Sequence, residues 1–329
     1  MDNFDIEDPL KSLEDHQSDS VPALFSSESH HMPSLNYFYC LKTSDFHVSF
    51  RQEAISLILQ APLTAQYSCN LDPYTQYLAI NYMDRFISWQ EIPQGNPWVV
   101  RLIVIACISL AAKMKEIHFS FSDFQVKQRE ERFIFDPPVI QRMELLVLDA
   151  LNWRMRLITP FSFITFYLSL FELKDLPLSQ ALKDRATDII FQAPNEINLL
   201  EFKPSITAAS ALLLACHELF PLQFPSFEIS ILSCEYVNKE MVQKCFDAMQ
   251  EMVNNEVSES MVEVVTSSST RNPISVLDCH CSKSESESST NSTTAATVTP
   301  ENRGIKRRKL NGFCSESNMM NISQIQPCE

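Results

Sequence analysis

The sequence predicts an all-α fold of two tandem five-helix units between polar tails, and three observations carry that prediction. Residues 96–115, NPWVVRLIVIACISLAAKMK, are apolar on every side of a helix, with only Arg101 and Ser109 polar over 99–112. A helix of that kind belongs in the middle of a core. Polar-proline pairs at Asp72-Pro73, Asn96-Pro97, Asp136-Pro137 and Thr159-Pro160 mark helix starts. There a side-chain acceptor serves the open N–H groups and proline suits the first turn. Finally, the order medium, long, buried, short and long recurs after Thr159, which is a repeat of whole domains and not a solenoid of short elements.

Taken in order, residues 1–48 are acidic and serine-rich without a sustained apolar period, the composition of a disordered arm. The first unit, 49–156, opens on a helix from Ser49 whose Phe50, Ala54, Leu57 and Ile58 share a face and which Pro62 ends. A second helix follows Asp72-Pro73 through TQYLAINYMDRFIS. Gly95, with Pro93 and Pro97, turns the chain into the central segment. Its length makes it a helix despite the β-branched residues, since strands usually stop near about six residues. Small residues at Ala106, Ser109, Ala111 and Ala112 admit close neighbours. Ser122 caps a short helix to Val126, residues 127–132 form a solvated turn, and Asp136-Pro137 opens a fifth helix to about Leu151. In the second unit, 157–254, helices are predicted after Thr159-Pro160, over 179–191, from Pro204 through SITAASALLLACHELF, after Pro225, and over 238–253. Residues 255–329 turn to serine, threonine and glutamate, with too few large apolar groups to stay folded.

At 329 residues the chain has room for two ordinary domains, and 45% hydrophobic content suffices for their cores. A net charge of −15 speaks against binding a nucleic-acid backbone, which needs clustered positive charge, and favours a protein partner. Arg101 and the modest length of the central helix argue against a membrane span, which needs about 20 apolar residues. Ten cysteines lack a framework spacing and MDNFDIEDPL is too acidic for a leader, so a reducing compartment is expected. No glycine lies between Gly95 and Gly304, which removes phosphate-cradling loops and nucleophile elbows from the folded part. Cys216-His217 and scattered carboxylates assemble no nucleophile, base and orienting group. Cys279-His280-Cys281 lacks a second ligand pair for zinc. No enzyme, cofactor or metal is expected.

Three segments carry a resemblance: YLAINYMDRFIS at 77–88, Trp98 with ACISLAAKMKE at 106–116, and MELLVLDALNWRM at 143–155. With the tandem five-helix order they resemble cyclins, the regulatory subunits of cyclin-dependent kinases. The nearest likeness is to plant D-type cyclins of a divergent subgroup without the usual retinoblastoma-binding sequence. This implies a non-catalytic subunit that binds and activates a cyclin-dependent Ser/Thr kinase to promote G1/S progression and cell division, with kinase inhibitors as further partners. In cyclins the lysine of LAAKM and the glutamate of MELL face the kinase around its C-helix, and Lys113 and Glu144 match them. Without the family, Glu144 shares a stripe with Ile140, Val147, Leu148 and Leu151, where a carboxylate needs a donor, and an internal salt bridge or a snorkelling side chain meets that need. Lys113 by itself suits the negative end of a helix dipole. Cyclins also join an arginine of the first helix to the aspartate of the DRF segment, which implies a structural ion pair between Arg51 and Asp84.

Two docking features depart from the family. Many cyclins hold substrates in an apolar patch built from an MRxIL-type segment and a tryptophan six residues after its arginine. Here Phe50, Glu53, Ala54 and Leu57 make a degenerate patch, and the lost aromatic area is worth roughly 1–3 kcal/mol. The LxCxE sequence by which D-type cyclins bind retinoblastoma-type pocket proteins is represented by Leu24, Ser26 and Glu28, with serine in place of cysteine. Coincidence and a weakened motif both stay open. In the tail, Thr299-Pro300 fits proline-directed phosphorylation. Lys306-Arg307-Arg308-Lys309 fits nuclear import as well as a solvated charge cluster, so the nucleus, with the cytoplasm as a second site, is the expected location. Within the same fold the competing reading is a transcription-associated adaptor, which strong basic surfaces would favour.

Overall fold

The computed structural model describes residues 21–64, 71–115, 135–171 and 175–267, and every regular element among them is helical. In chain order these are α1 (Val21–Ser27), a 3-10 turn (Glu28–His31), α2 (Leu35–Thr43), α3 (Asp45–Thr64), α4 (Pro73–Ile87), α5 (Pro97–Met114) and α6 (Pro137–Ala150). There follow α7 (Phe161–Ser169), α8 (Leu176–Gln192), 3-10 turns Ala193–Asn195 and Ile197–Glu201, α9 (Pro204–Leu219), α10 (Phe224–Leu232) and α11 (Lys239–Ser267).

Two helices organise the packing. Every residue of α5 from Val99 to Ala112 is buried, and α3, α4 and α6 surround it. By length and hydropathy α5 would pass for a membrane span, but 78% of it is buried inside the protein, so it is a core helix. In the second half, α9 is buried from Pro204 to Cys216 and contacts α7, α8 and α10. Ser210 Oγ donates to the Val242 carbonyl of α11 at 3.1 Å, which ties the last helix to it. Each fully buried Val, Leu or Ile in such posts contributes about 1.5–3 kcal/mol relative to exposure.

The starts of the helices follow the polar-proline pairs, with one difference. Asp72 accepts from the Thr75 N–H at 2.6 Å, whereas the Asn96 and Asp136 side chains make no capping bond. At those two positions the backbone carbonyls take the N–H groups of Val99 and of Val139 and Ile140.

The expected disordered arm needs correction over residues 21–48, where α1, α2 and the start of α3 lie. Burial explains it. Phe25 packs against Phe163, Phe166, Tyr167 and Tyr236 with centroids 4.7–6.5 Å apart, and Tyr37 and Leu41 join the first core. At the other end α11 runs to Ser267, past the predicted change of character at 255, and α3 continues beyond Pro62. Residues 1–20, the predicted short helix and turn over 122–132, Thr299, and the basic run 306–309 lie outside the described residues.

The two halves share an aromatic seam. Tyr74 and Tyr77 of α4 meet Phe161 of α7 edge-on, Phe191 of α8 closes the group, and Tyr82 Oη donates to the Met155 carbonyl at 2.7 Å.

Candidate functional site

Lys113 stands in the last turn of α5, and Glu144 in the middle of α6, the helix packed beside it. The Lys113 ammonium donates to both Glu144 carboxylate oxygens, at 2.6 and 2.7 Å. Ser109 Oγ, one turn below the lysine, donates to the same carboxylate. The burial of the two partners is unequal: the lysine side chain is 58% exposed and that of the glutamate 9%. A lysine ammonium has three donors, so two serve Glu144 and one is left for an incoming acceptor. Sequence periodicity predicted that Glu144 needs a donor, and the structure supplies two.

Large apolar side chains follow the pair in the chain, Met114 after Lys113 and Leu145 after Glu144, and Trp153 lines a cleft with Met114. Met114, Leu145 and Trp153 are exposed although large, at 39%, 49% and 64%. Trp153 was not among the residues singled out from sequence. Its position depends on the end of α6, where Asn152 and Trp153 have φ of +51° and +58° and the Trp153 N–H reaches back to the Leu148 carbonyl at 2.9 Å. Asparagine tolerates that left-handed region, whereas a bulky residue there is strained, and strain of this kind collects at working sites. The available signal was the polar Asn152 directly after a strong helix.

Arg51 and Asp84 form a buried, two-point ion pair, Nε to Oδ1 and Nη2 to Oδ2, each at 2.9 Å. Tyr37 Oη donates to Asp84 Oδ1 at 2.8 Å, and Arg51 Nη2 also reaches the Pro194 carbonyl at 2.6 Å. Four segments therefore meet around one ion pair. Burial pulls the Arg51 pKa down, but Asp84 and Tyr37 outweigh it and hold the group above its ordinary value. Its place is structural.

The remaining candidates are placed differently from expectation. Leu24 and Ser26 belong to α1, and Glu28 is 2% exposed. Its carboxylate accepts from the Ser205 N–H at 2.9 Å and from Ser205 Oγ at 3.0 Å, with Lys203 Nζ 3.8 Å away. It thus caps α9 from outside, where an acid suits the positive helix end. Burial raises the Glu28 pKa, against the lowering effect of those hydrogen bonds. Of Leu24, Ser26 and Glu28, the acid is thus committed inside the molecule, which speaks against a pocket-protein role and for coincidence. Of the docking patch, Phe50 and Ala54 are core residues, Leu57 packs against the core, and only Glu53 is exposed. The four do not form an open apolar groove. Cys216 is buried and its thiol is pushed up to about 12 by burial, which leaves it an inert thiol. Among the described residues no cluster of three or more His, Cys, Asp or Glu is placed to hold a metal.

With this geometry in view, residues 19–156 match the family described as cyclin, N-terminal domain, and residues 158–281 match cyclin, C-terminal domain. A D6-type cyclin of Arabidopsis thaliana is 41% identical over 318 residues, covering 93% of this chain and 99% of the relative. The chain belongs to the plant D-type cyclins. Cyclin-D6-1 of Oryza sativa subsp. japonica is 37% identical over 300 residues, with 89% of this cyclin and 87% of the relative aligned. The X-ray structure of a viral cyclin from herpesvirus saimiri overlaps 63% of this cyclin and 85% of the viral chain, at TM-score 0.48 and 17% identity. As a D-type cyclin, the protein is a regulatory subunit of a cyclin-dependent kinase.

Proposed function

We propose that this cyclin activates its kinase through the surface built on Lys113 and Glu144, with Met114, Leu145 and Trp153 as the apolar contacts around them. The observation that carries the reading is the unequal burial of a short, two-oxygen ion pair between neighbouring helices. A carboxylate fixed by Ser109 and Lys113 is held at a set position, and the exposed ammonium keeps a donor for the partner's backbone. Large exposed apolar side chains beside such a pair are the usual anchors of an interface.

The mechanism is a shift of population. A kinase without its partner leaves the C-helix displaced, so the β3 lysine and C-helix glutamate that orient the ATP phosphates do not pair. A surface that binds only the inward C-helix raises the share of the active form by its difference in affinity for the two states. The cyclin contributes no catalytic group. Within the same reading, the poor docking patch leaves substrate choice to the kinase, Thr299 is a phosphorylation site, 306–309 direct nuclear import, and kinase inhibitors are further partners.

The test is co-purification of the kinase from dividing plant cells, and histone-type phosphorylation, with Lys113→Ala, Glu144→Ala and the double variant. Loss of both readouts in the double variant is expected. Survival of both would falsify the assignment of the surface.

A further inference from the structure

In the second half, α9, α10 and α11 leave between them an open cleft of about 300 Å³, which holds none of the residues of the Lys113–Glu144 surface. Leu213 and Val242, both buried, belong to its lining. Three rings meet beside them. His217 of α9 stands edge-on to Phe224 of α10 at 5.3 Å and to Phe246 of α11 at 6.2 Å, and the two phenylalanine rings are 6.0 Å apart. Two carboxylates, Glu228 and Asp247, line the cleft as well, and no lysine or arginine does. Asp247 accepts from Gln243 Nε2 at 2.9 Å. Glu228 is half-buried and has neither a hydrogen bond nor an ion pair among the described residues.

A carboxylate partly removed from water without a donor costs free energy, and a cation brought to it recovers that cost. Aromatic rings attract the same cation through their π-systems, and buried leucine and valine suit the aliphatic stem that carries it. Among biological cations the guanidinium fits such a lining best, because its plane stacks on a ring while two parallel N–H groups serve one carboxylate. The surroundings select its source. Ile229 follows Glu228 directly in the chain and Leu222 lies two positions before Phe224, and these large side chains are 66% and 96% exposed. A small free cation leaves them in water, whereas a peptide that carries the arginine covers them with its own neighbours.

We propose that the cleft between α9, α10 and α11 is a docking site for an arginine side chain of a partner protein, held by Glu228 among the rings of His217, Phe224 and Phe246, with apolar residues beside that arginine in the partner's sequence. The site is separate from the kinase surface, so the second half of the molecule recruits while the first half activates. The cleft holds the group and transfers nothing.

The test uses the full chain and pools of short labelled peptides in which only the central residue is fixed, as arginine, as citrulline or as lysine, with binding read by fluorescence polarisation. The expected result is saturable binding of the arginine pool, enriched in apolar residues beside the arginine, with the citrulline pool weaker by roughly tenfold or more and the lysine pool in between. Glu228→Gln is expected to weaken the arginine pool by a similar factor, and Phe224→Leu, which keeps an apolar side chain and removes the ring, by about threefold. Glu228→Asp keeps the charge and guards against a folding artefact; it is expected to bind with intermediate strength. Glu228→Gln is expected to keep the kinase, and Lys113→Ala to lose the kinase and keep the peptides, which separates this site from the activating surface. Equal binding of the arginine and citrulline pools, or binding undiminished by Glu228→Gln, overturns the proposal. So does binding lost with Lys113→Ala, and displacement of the arginine pool by an equal concentration of spermidine would assign the cleft to a free polyamine instead.

Discussion

The two central helices, α5 and α9, have the same interior and different ends. Both begin with proline, both are buried on all sides through their middle turns, and both carry small residues where neighbours approach. At its C-terminal end α5 exposes a base, Lys113, to an acid on the following helix, deep enough that the acid is nearly covered. At the corresponding end of α9 the signs are reversed: Glu218 pairs with Arg185 of the preceding helix α8, at 2.6 Å, and each side chain is 27% exposed. At the N-terminal end the contrast runs the other way, since α9 is capped by the remote Glu28, whereas at α5 the Asn96 side chain makes no cap bond. Packing fixes the repeated part, because an interior post tolerates little change in volume. Helix ends escape that restriction, and the two halves diverge there in use.

The comparison can be broken or sharpened by substitution, beginning with the largest effect. Arg51→Leu strands Asp84 in the first half and frees the Pro194 carbonyl in the second, and it is expected to cost about 3–5 kcal/mol in denaturant unfolding. If only the first half lost stability, the link through Pro194 would be decorative. Next, Glu144→Ala is expected to weaken kinase association by about 2–4 kcal/mol, and Lys113→Ala by a similar amount, with little change in melting for the lysine because it is more than half exposed. Titration calorimetry against the purified kinase measures both. In contrast, Arg185→Ala, at the matching place in the second half, is expected to change stability by less than about 1 kcal/mol and kinase affinity not at all. A large loss of kinase there would show that the second half docks too.

The smallest effect concerns pH. The Glu28 pKa is raised above its ordinary 4.5, so the folded protein takes up this proton before the unfolded chain does. The residue's contribution is then fullest below 4.5 and is lost as pH rises through the raised value. His31 acts in the opposite sense, since a group held down to about 4 loses its contribution as pH falls from its ordinary 6.5. Comparing wild type with Glu28→Gln cancels His31, and the difference is expected to move in favour of wild type on acidification. A pH-independent difference would contradict the placement of Glu28.

Several of these features were legible before any coordinates. The need of Glu144 for a donor could be read from the three- and four-residue spacing of α6; Lys113, Arg51 and Asp84 were marked by the resemblance to cyclins, and the repeat of helix order gave the tandem architecture. The features that were missed share a cause, which is that their partners are remote in sequence. Phe25 is one aromatic residue among serines, and nothing local shows that Phe163 and Tyr236 wait for it. Glu28 and Ser205 are separated by 177 positions. Trp153 needed the turn at the end of α6, whose left-handed residues carry no glycine to announce them.

The cap on α9 sets an order of events during synthesis. A ribosome releases Glu28 long before Ser205 exists, so the opening stretch of the nascent chain must stay unattached until most of the protein has been made. An early residue thus finishes a late helix, and a cyclin lacking Glu28 would be born with the start of α9 open on that side.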